Sequence, residues 1–295
     1  MDHRPAPHIS LCIPAYQAER HLRATLGCAV AQTAPDLEIV VLDNASTDRT
    51  AEILAEMHDP RLRVETNTTV LPLPANWNRL VKLSRGDLVK VLCADDLIHP
   101  DAVRQQAQIL DSDAAVSLVA SRRHLIDDEG RVLAANQGLR GLVGRRSGRD
   151  VAARVVRSGG NPIGEPGSVM FRRRDFDRVG GFDGDLLFPM DLDLWVRLLA
   201  HGDFLGMAES LAAFRAGSGS VSAVRSRAQY TEQLQLTSRV ALDPRWRIST
   251  VDRMIGRAAA PLARLRRELL FVTAGWSRRP TLSRSPSSEL TEWHS

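Results

Sequence analysis

Short apolar runs alternate with helix-periodic stretches through residues 8–121, and this alternation leaves few folds open to the chain. Residues 8–13 read as a buried strand stopped by Pro14, residues 37–42 as a second, 61–65 as a short third, 89–93 as a fourth and 115–121 as a fifth. Between them, helices are predicted over 19–31, where Leu22, Leu26 and Val30 recur at four-residue spacing, from about Arg49, over 76–83, and over 100–110. Gly86 marks the end of the third helix. Strand–helix alternation of this kind predicts an α/β fold with a mostly parallel central sheet flanked by helices. In such sheets ligands settle beyond the carboxyl ends of the strands.

Those ends are polar here. Pro14-Ala15-Tyr16 follows the first strand, Asp43-Asn44-Ala45-Ser46-Thr47-Asp48 the second, and Cys93-Ala94-Asp95-Asp96 the fourth. Adjacent carboxylates repel, so keeping Asp95 and Asp96 both ionised in a cleft calls for a cation or a hydrogen-bonded ligand. The competing reading is a turn or a cap on a helix opening at Leu97, although Pro100 and Asp101 already suit a helix start. Ser46 or Thr47 is expected to cap the helix near Arg49, with Asp48 on its dipole. Neither a G-x-G-x-x-G turn nor a Walker loop follows the first strand. Phosphates therefore need another counter-charge, and Mg²⁺ or Mn²⁺ on carboxylates supplies it.

The composition narrows the function classes. With 43% hydrophobic and 25% charged residues, the 295-residue chain is an ordinary globular protein. Its net charge of +4 rests on arginine, the only lysines being Lys82 and Lys90, and no nucleic-acid signature accompanies it, so no nucleic-acid partner is expected. Cys12, Cys28 and Cys93 lack metal-site spacing, and an odd number argues against a disulfide framework. No apolar leader and no run of ~18 apolar residues is present, which predicts a cytoplasmic protein.

The second half has a different texture. Residues 125–133 predict a hairpin turning near Glu129-Gly130, residues 136–148 a Gly- and Arg-rich mobile loop, and residues 164–173 a strand leading into a short helix. Residues 191–199 predict an amphipathic helix with acids in its first turn. Residues 253–272 carry arginines among leucines and admit two readings. One is a helix packed on the main domain, interrupted at Pro261; the other is peripheral contact with the inner face of a membrane. Residues 277–295 are expected to form a disordered tail.

The ordered set Pro14-Ala15-Tyr16, Asp43 to Asp48, Cys93 to Asp96 and Asp191-Leu192-Asp193-Leu194-Trp195-Val196-Arg197 resembles the landmarks of family 2 glycosyltransferases over residues 8–222. The resemblance implies a GT-A fold and inverting transfer of a sugar from a nucleotide-diphosphate donor, UDP- or dTDP-linked, to an acceptor hydroxyl. The acceptor would be a saccharide, a lipid-linked sugar or a small molecule. Pro14 and Tyr16 would flank the base and Asp43 would hydrogen-bond it, with Ala15, Glu19 and Asn44 in the same nucleotide-binding set. Asp96 is the first choice of metal ligand, and Asp95 stands nearer the ribose or donor sugar as a second. Asp191 takes the place of the general base, with Asp193 open as an alternative and a helix cap as the competing role of Asp191. Arg172 or Arg215 would help neutralise the diphosphate, and Asn76-Trp77-Asn78 would touch the donor sugar or simply pack beneath the sheet.

Three positions depart from the family pattern: Cys93 replaces a frequent aspartate, Met190 a usual glutamate, and Gly217 the histidine of a late Arg-x-His. The implied division is a transferase domain over 1–222, with a nucleotide half at 8–121 and an acceptor half at 122–222, then a helical extension at 223–276. Residues 136–165 would shape the acceptor site. Two other readings stand beside this one, a sugar-phosphate nucleotidyltransferase and a non-catalytic protein that keeps the fold.

Overall fold

The structure is a computed structural model and describes residues 7–216 and 226–276. The first half runs β1 (Ile9–Ala15), α1 (Leu22–Val30), β2 (Leu37–Asp43), α2 (Thr50–Ala55), β3 (Leu62–Thr66), α3 (Leu73–Leu83), β4 (Leu88–Val91), β5 (Leu97–Ile98), α4 (Ala102–Ser112) and β6 (Val116–Ile126). The second half runs β7 (Val132–Gln137), β8 (Gly144–Arg146), α5 (Gly148–Ser158), a short 3₁₀ turn (Pro166–Ser168), β9 (Val169–Arg172), α6 (Arg173–Val179), α7 (Met190–Leu198), β10 (Asp203–Arg215), α8 (Ser226–Leu242) and α9 (Thr250–Trp276). Gly217 and residues 277–295, on which two expectations rested, lie outside the described residues.

One sheet orders its strands β3-β2-β1-β4-β9-β6-β10-β5, with β7 beside β6 and β8 beside β10. The pairings among β3, β2, β1 and β4 are parallel, as expected. Both faces of β1, β2 and β4 are covered, so these strands are largely apolar on both sides, whereas the edge strand β3 is partly exposed. Ile9, Leu11, Ile13, Leu37, Ile39 and Val41 face α1, α2 and α4, whereas Cys12, Val40 and Leu42 join the core under α3 and α7. Gly86 serves packing and not helix termination. A Cβ there would lie 2.6 Å from the Ile9 carbonyl carbon, so only glycine lets this segment close on β1.

Several expectations need correction. The fifth predicted strand, β6, does not follow β4 in the sheet: β9 inserts between them, antiparallel to both. Local periodicity carries no information on such a non-local pairing. Leu97 and Ile98 open no helix; they are buried and pair with Ala213 and Ala212 of β10. Residues 136–148 are not a free loop, because Leu139 and Leu142 are buried in the core and β8 pairs with β10. Within residues 136–165, expected to shape the acceptor site, 148–158 form the helix α5. Pro261 lies inside α9 without ending it.

The hairpin of β6 and β7 turns at Gly130, whose φ of 81° suits glycine. Trp195 is fully buried and donates its indole N–H to Gly164 O at 3.2 Å.

Candidate active site

The strand tips are cross-linked before any ligand enters. Gln17, beyond β1, donates its backbone N–H to Ser46 Oγ (3.0 Å), and its side-chain oxygen accepts from Thr47 N (2.8 Å). Ser46 and Thr47 are thus engaged across the loops and do not cap α2; Asp48 Oδ1 accepts the Thr50 N–H instead, at 3.0 Å. Glu19 caps the same turn by accepting from Arg49 N at 3.1 Å. Asp43 ends β2 opposite Ala15, buried, with Oδ1 accepting from Ser46 N at 3.1 Å. Asn44 gives both ends of its amide to the protein, bonding Leu71 N, Leu71 O and Asn67 Nδ2. Tyr16, just beyond β1, is 52% exposed.

Beyond β4, atoms of Cys93, Asp95 and Asp96 lie within 4.8 Å of one another, the kind of grouping that can hold a metal ion. Arg215 at the end of β10 secures this turn. Its backbone N–H donates to Asp96 Oδ1 (2.9 Å), its Nε to Asp95 O (2.8 Å), and its Nη1 to Asp127 O (2.6 Å) and Asp128 O (3.0 Å). Burial, and then the neighbouring Asp95 charge, push Asp96 well above the usual carboxylate range; the Arg215 N–H opposes this. Asp95 is raised by burial against the opposing charge of Arg215. Arg215 is pulled below its usual value by its own burial, against the pull of both acids. Near by, burial and the charges of Arg215 and Arg20 lower His21 to about 4, so it is neutral at pH 7.

Cys93 reveals which other acids converge. Burial raises its thiol far above the ordinary value, and the charges of Asp96, Asp95, Asp191 and Glu165 add to the rise in that order. Carboxylates from the β4 turn, the segment before the 3₁₀ turn, and α7 thus act on one sulfur atom. Asp191 sits in the first turn of α7 and does not cap it, since Pro189 holds the cap position. Asp191 Oδ1 accepts from Leu192 N (2.7 Å) and Oδ2 from Asn161 Nδ2 (3.4 Å). Asp193, the alternative base, is bound to Arg197 Nε and Nη2, both at 2.7 Å. Arg197 in turn holds Val179 O and Gly181 O, which gives that pair a structural role.

The sequence reading missed Glu165, which pairs with Arg123 of β6 and faces the acidic turn. Its only local signal is an acid inside Gly164-Glu165-Pro166-Gly167. Arg172 stands apart from the cluster. It pairs with Leu88 at the start of β4, on the opposite rim of the sheet, and its guanidinium binds the carbonyls of Leu110, Asp113 and Val116. Trp77 packs edge-on against Phe182 at 5.3 Å beneath the sheet, with Asn78 bonding the Phe182 backbone, so this segment holds the fold together.

Comparison with known proteins gives the family and the fold. The profile of Glycosyl transferase family 2 matches residues 10–180, more than half the chain. An uncharacterized protein of Mycobacterium tuberculosis is 33% identical over 198 residues, 65% of this chain and 62% of its own length. A chondroitin synthase of Escherichia coli is 27% identical over 200 residues, 67% of this chain and 27% of its own length. The chain therefore spans less than two thirds of either relative. A mannosyltransferase of Pyrobaculum calidifontis, solved with GDP-Man and Mn²⁺, superposes with a TM-score of 0.63 at 19% identity, covering 97% of this chain and 79% of its own. TarS of S. aureus, residues 1–349 with UDP-GlcNAc, gives 0.61 at 17% identity, covering 93% and 76%. With that profile matching more than half of its length, the chain belongs to glycosyl transferase family 2 and has the GT-A fold.

Proposed function

We propose that the chain transfers a sugar, with inversion, from a UDP- or dTDP-linked donor to an acceptor hydroxyl. The supporting observation is the grouping of Cys93, Asp95 and Asp96 within 4.8 Å of one another beyond β4, with the charges of Glu165 and Asp191 also felt at Cys93. Tyr16, Pro14 and Asp43 bind the base. Asp96 and Asp95 fit a divalent cation, because burial and mutual repulsion make two adjacent charges unfavourable without one. Their oxygens suit Mg²⁺ or Mn²⁺, whereas the Cys93 thiol is soft and held protonated. The bound cation supplies positive charge for the departing diphosphate.

Asp191 takes the acceptor proton. Its carboxylate is oriented by Leu192 N–H and Asn161 Nδ2, and such a base contributes about 10²–10⁴-fold in rate. Titrating UDP with Mn²⁺ and then with EDTA, by calorimetry, tests the donor site. Binding is expected in Mn²⁺, with loss in EDTA and in Asp96→Ala. If no nucleotide or nucleotide sugar binds under any condition, the transferase reading fails.

The proposed contact with a membrane rests on α9. No described helix is long and apolar enough to cross one. Gly256 and Ala260 bury α9 against Val156 and Gly159 of the α5 region. The opposite side exposes Val251, Met254, Ile255, Leu262 and Leu265 along one stripe, with the exposed Arg257 at its border. An apolar stripe bordered by arginine suits the surface of an anionic bilayer. Flotation with phosphatidylglycerol vesicles is expected to carry the protein and Leu262→Glu/Leu265→Glu to release it; equal flotation of the two would overturn this contact.

A further inference from the structure

A concave feature lies outside the acidic cluster, against the end of β7 and the segment leading to β8. It is a cavity of about 360 Å³, within the size range of ligand pockets, whose lining includes Arg122, Arg140, Arg146, Asn136, Gln137 and Gly138. No carboxylate among the described residues lines it. Arg122 Nε is buried and has no hydrogen-bond partner among the described residues. Arg146 donates to backbone carbonyls, Arg145 O at 2.8 Å and Gly141 O at 3.5 Å. A fourth arginine borders the loop: the Arg154 guanidinium would lie 3.7 Å from a Cβ on Gly141, and Arg154 Nε is likewise buried without a partner.

The wall is held in an unfavourable backbone. Asn136, Gly138, Leu139, Gly141 and Gly144 all have positive φ, and Leu139 at 52° is an uncommon place for leucine. Leu139 and Leu142 anchor the loop in the core, so this conformation persists and keeps the arginines gathered. Like charges brought together without counter-ions are stabilised by an anion, and the guanidinium fork matches phosphate and carboxylate. The pocket is also tied to the proposed base. Leu139 N–H donates to Pro162 O at 3.2 Å, and Asn161, the preceding residue, donates to Asp191.

We infer that this arginine pocket binds an oxyanion carried by the acceptor, a sugar phosphate or a uronate, so that the chain glycosylates an anionic acceptor. The inference rests on the transferase reading. It assigns Arg122, Arg140 and Arg146 to recognition of the acceptor and gives them no part in the donor site.

Calorimetry on the full chain, saturated with UDP and Mn²⁺, tests it with three probes: glucose 6-phosphate, methyl glucuronide and neutral methyl glucoside. At least one anionic sugar is expected to bind about tenfold or more tighter than the glucoside. The phosphate and glucuronide arms tell which oxyanion is preferred. Arg140→Ser/Arg146→Ser, two exposed positions, is expected to remove that advantage, as is high salt. Three sugars binding alike would overturn the inference, as would an anionic sugar that binds the double variant as it binds the parent. So would an anionic sugar that binds only when UDP is left out, which would put it in the donor site. UDP binding measured separately reports on the transferase reading itself, so failure of the pocket and failure of the reading give different results.

Discussion

Lys90 is fully buried on β4, its ammonium donating to two neutral acceptors, Gln106 Oε1 at 2.8 Å and Val169 O at 3.4 Å. Burial lowers it from 10.5 to about 7. A base whose folded value is depressed binds fewer protons folded than unfolded, so its contribution to stability rises with pH between about 7 and 10.5. At pH 7 the unfolded lysine is fully charged and the folded one about half, a penalty of about 4 kcal/mol at ~1.4 kcal/mol per pH unit. Lys90→Met removes the penalty but leaves Gln106 Oε1 without its donor, at about 1–3 kcal/mol. The variant should therefore be about 1–3 kcal/mol more stable than the parent at pH 7. By pH 10 the parent's penalty falls to about 1 kcal/mol, so the advantage should shrink by about 3 kcal/mol and vanish or reverse. Urea unfolding of both proteins at pH 7, 8.5 and 10 measures this. Taking the difference between the two cancels the buried cysteines Cys12 and Cys28, each raised by burial to about 12, which also titrate there. A difference that stays constant with pH would refute the argument that Lys90 is charged at a cost.

Asp191→Asn is expected to keep UDP affinity within about twofold while transfer falls about 10²–10⁴-fold, read by radiolabelled sugar transfer to acceptor. Arg215→Met removes the guanidinium bonds to the Asp95, Asp127 and Asp128 carbonyls and the positive charge beside Asp95 and Asp96, and should lose about 3–5 kcal/mol of stability; a thermal melt in Mn²⁺ should recover part of it. Gly86→Ala drives a Cβ into the β1 backbone and should cost about 1–3 kcal/mol in urea unfolding, with no gain from cavity filling to offset it.

The parts of the site that a local pattern encodes were readable. The tips of β1, β2 and β4 each close an apolar run, and Asp191 opens an amphipathic helix, so periodicity alone places them at element ends. The hairpin turn at Gly130 announces itself by an acid-glycine pair between apolar stretches. What stayed hidden depends on pairing across long separations. Nothing near Val169 says that β9 will lie against Leu88 and Val89, 80 residues earlier, and in the opposite sense. Glu165 is carried to the acidic turn by that same strand, which is why an isolated acid in a Gly-Pro segment gave no sign of belonging there. Arg172, an expected partner of the diphosphate, lies elsewhere for a related reason: β9 runs antiparallel to β4, which puts Arg172 on the far rim.

Because β9 closes the gap between β4 and β6, a growing polypeptide reaches residue 168 with an open seam through its sheet. The β1–β4 half can zip up early from neighbours in sequence, but its last strand then offers a row of unmet backbone donors and acceptors. Only when residues 169–172 emerge does that raw edge find its match, and the two parts of the sheet become one piece in the same event. Nascent chains stalled before that point should therefore be the species most prone to sticking together.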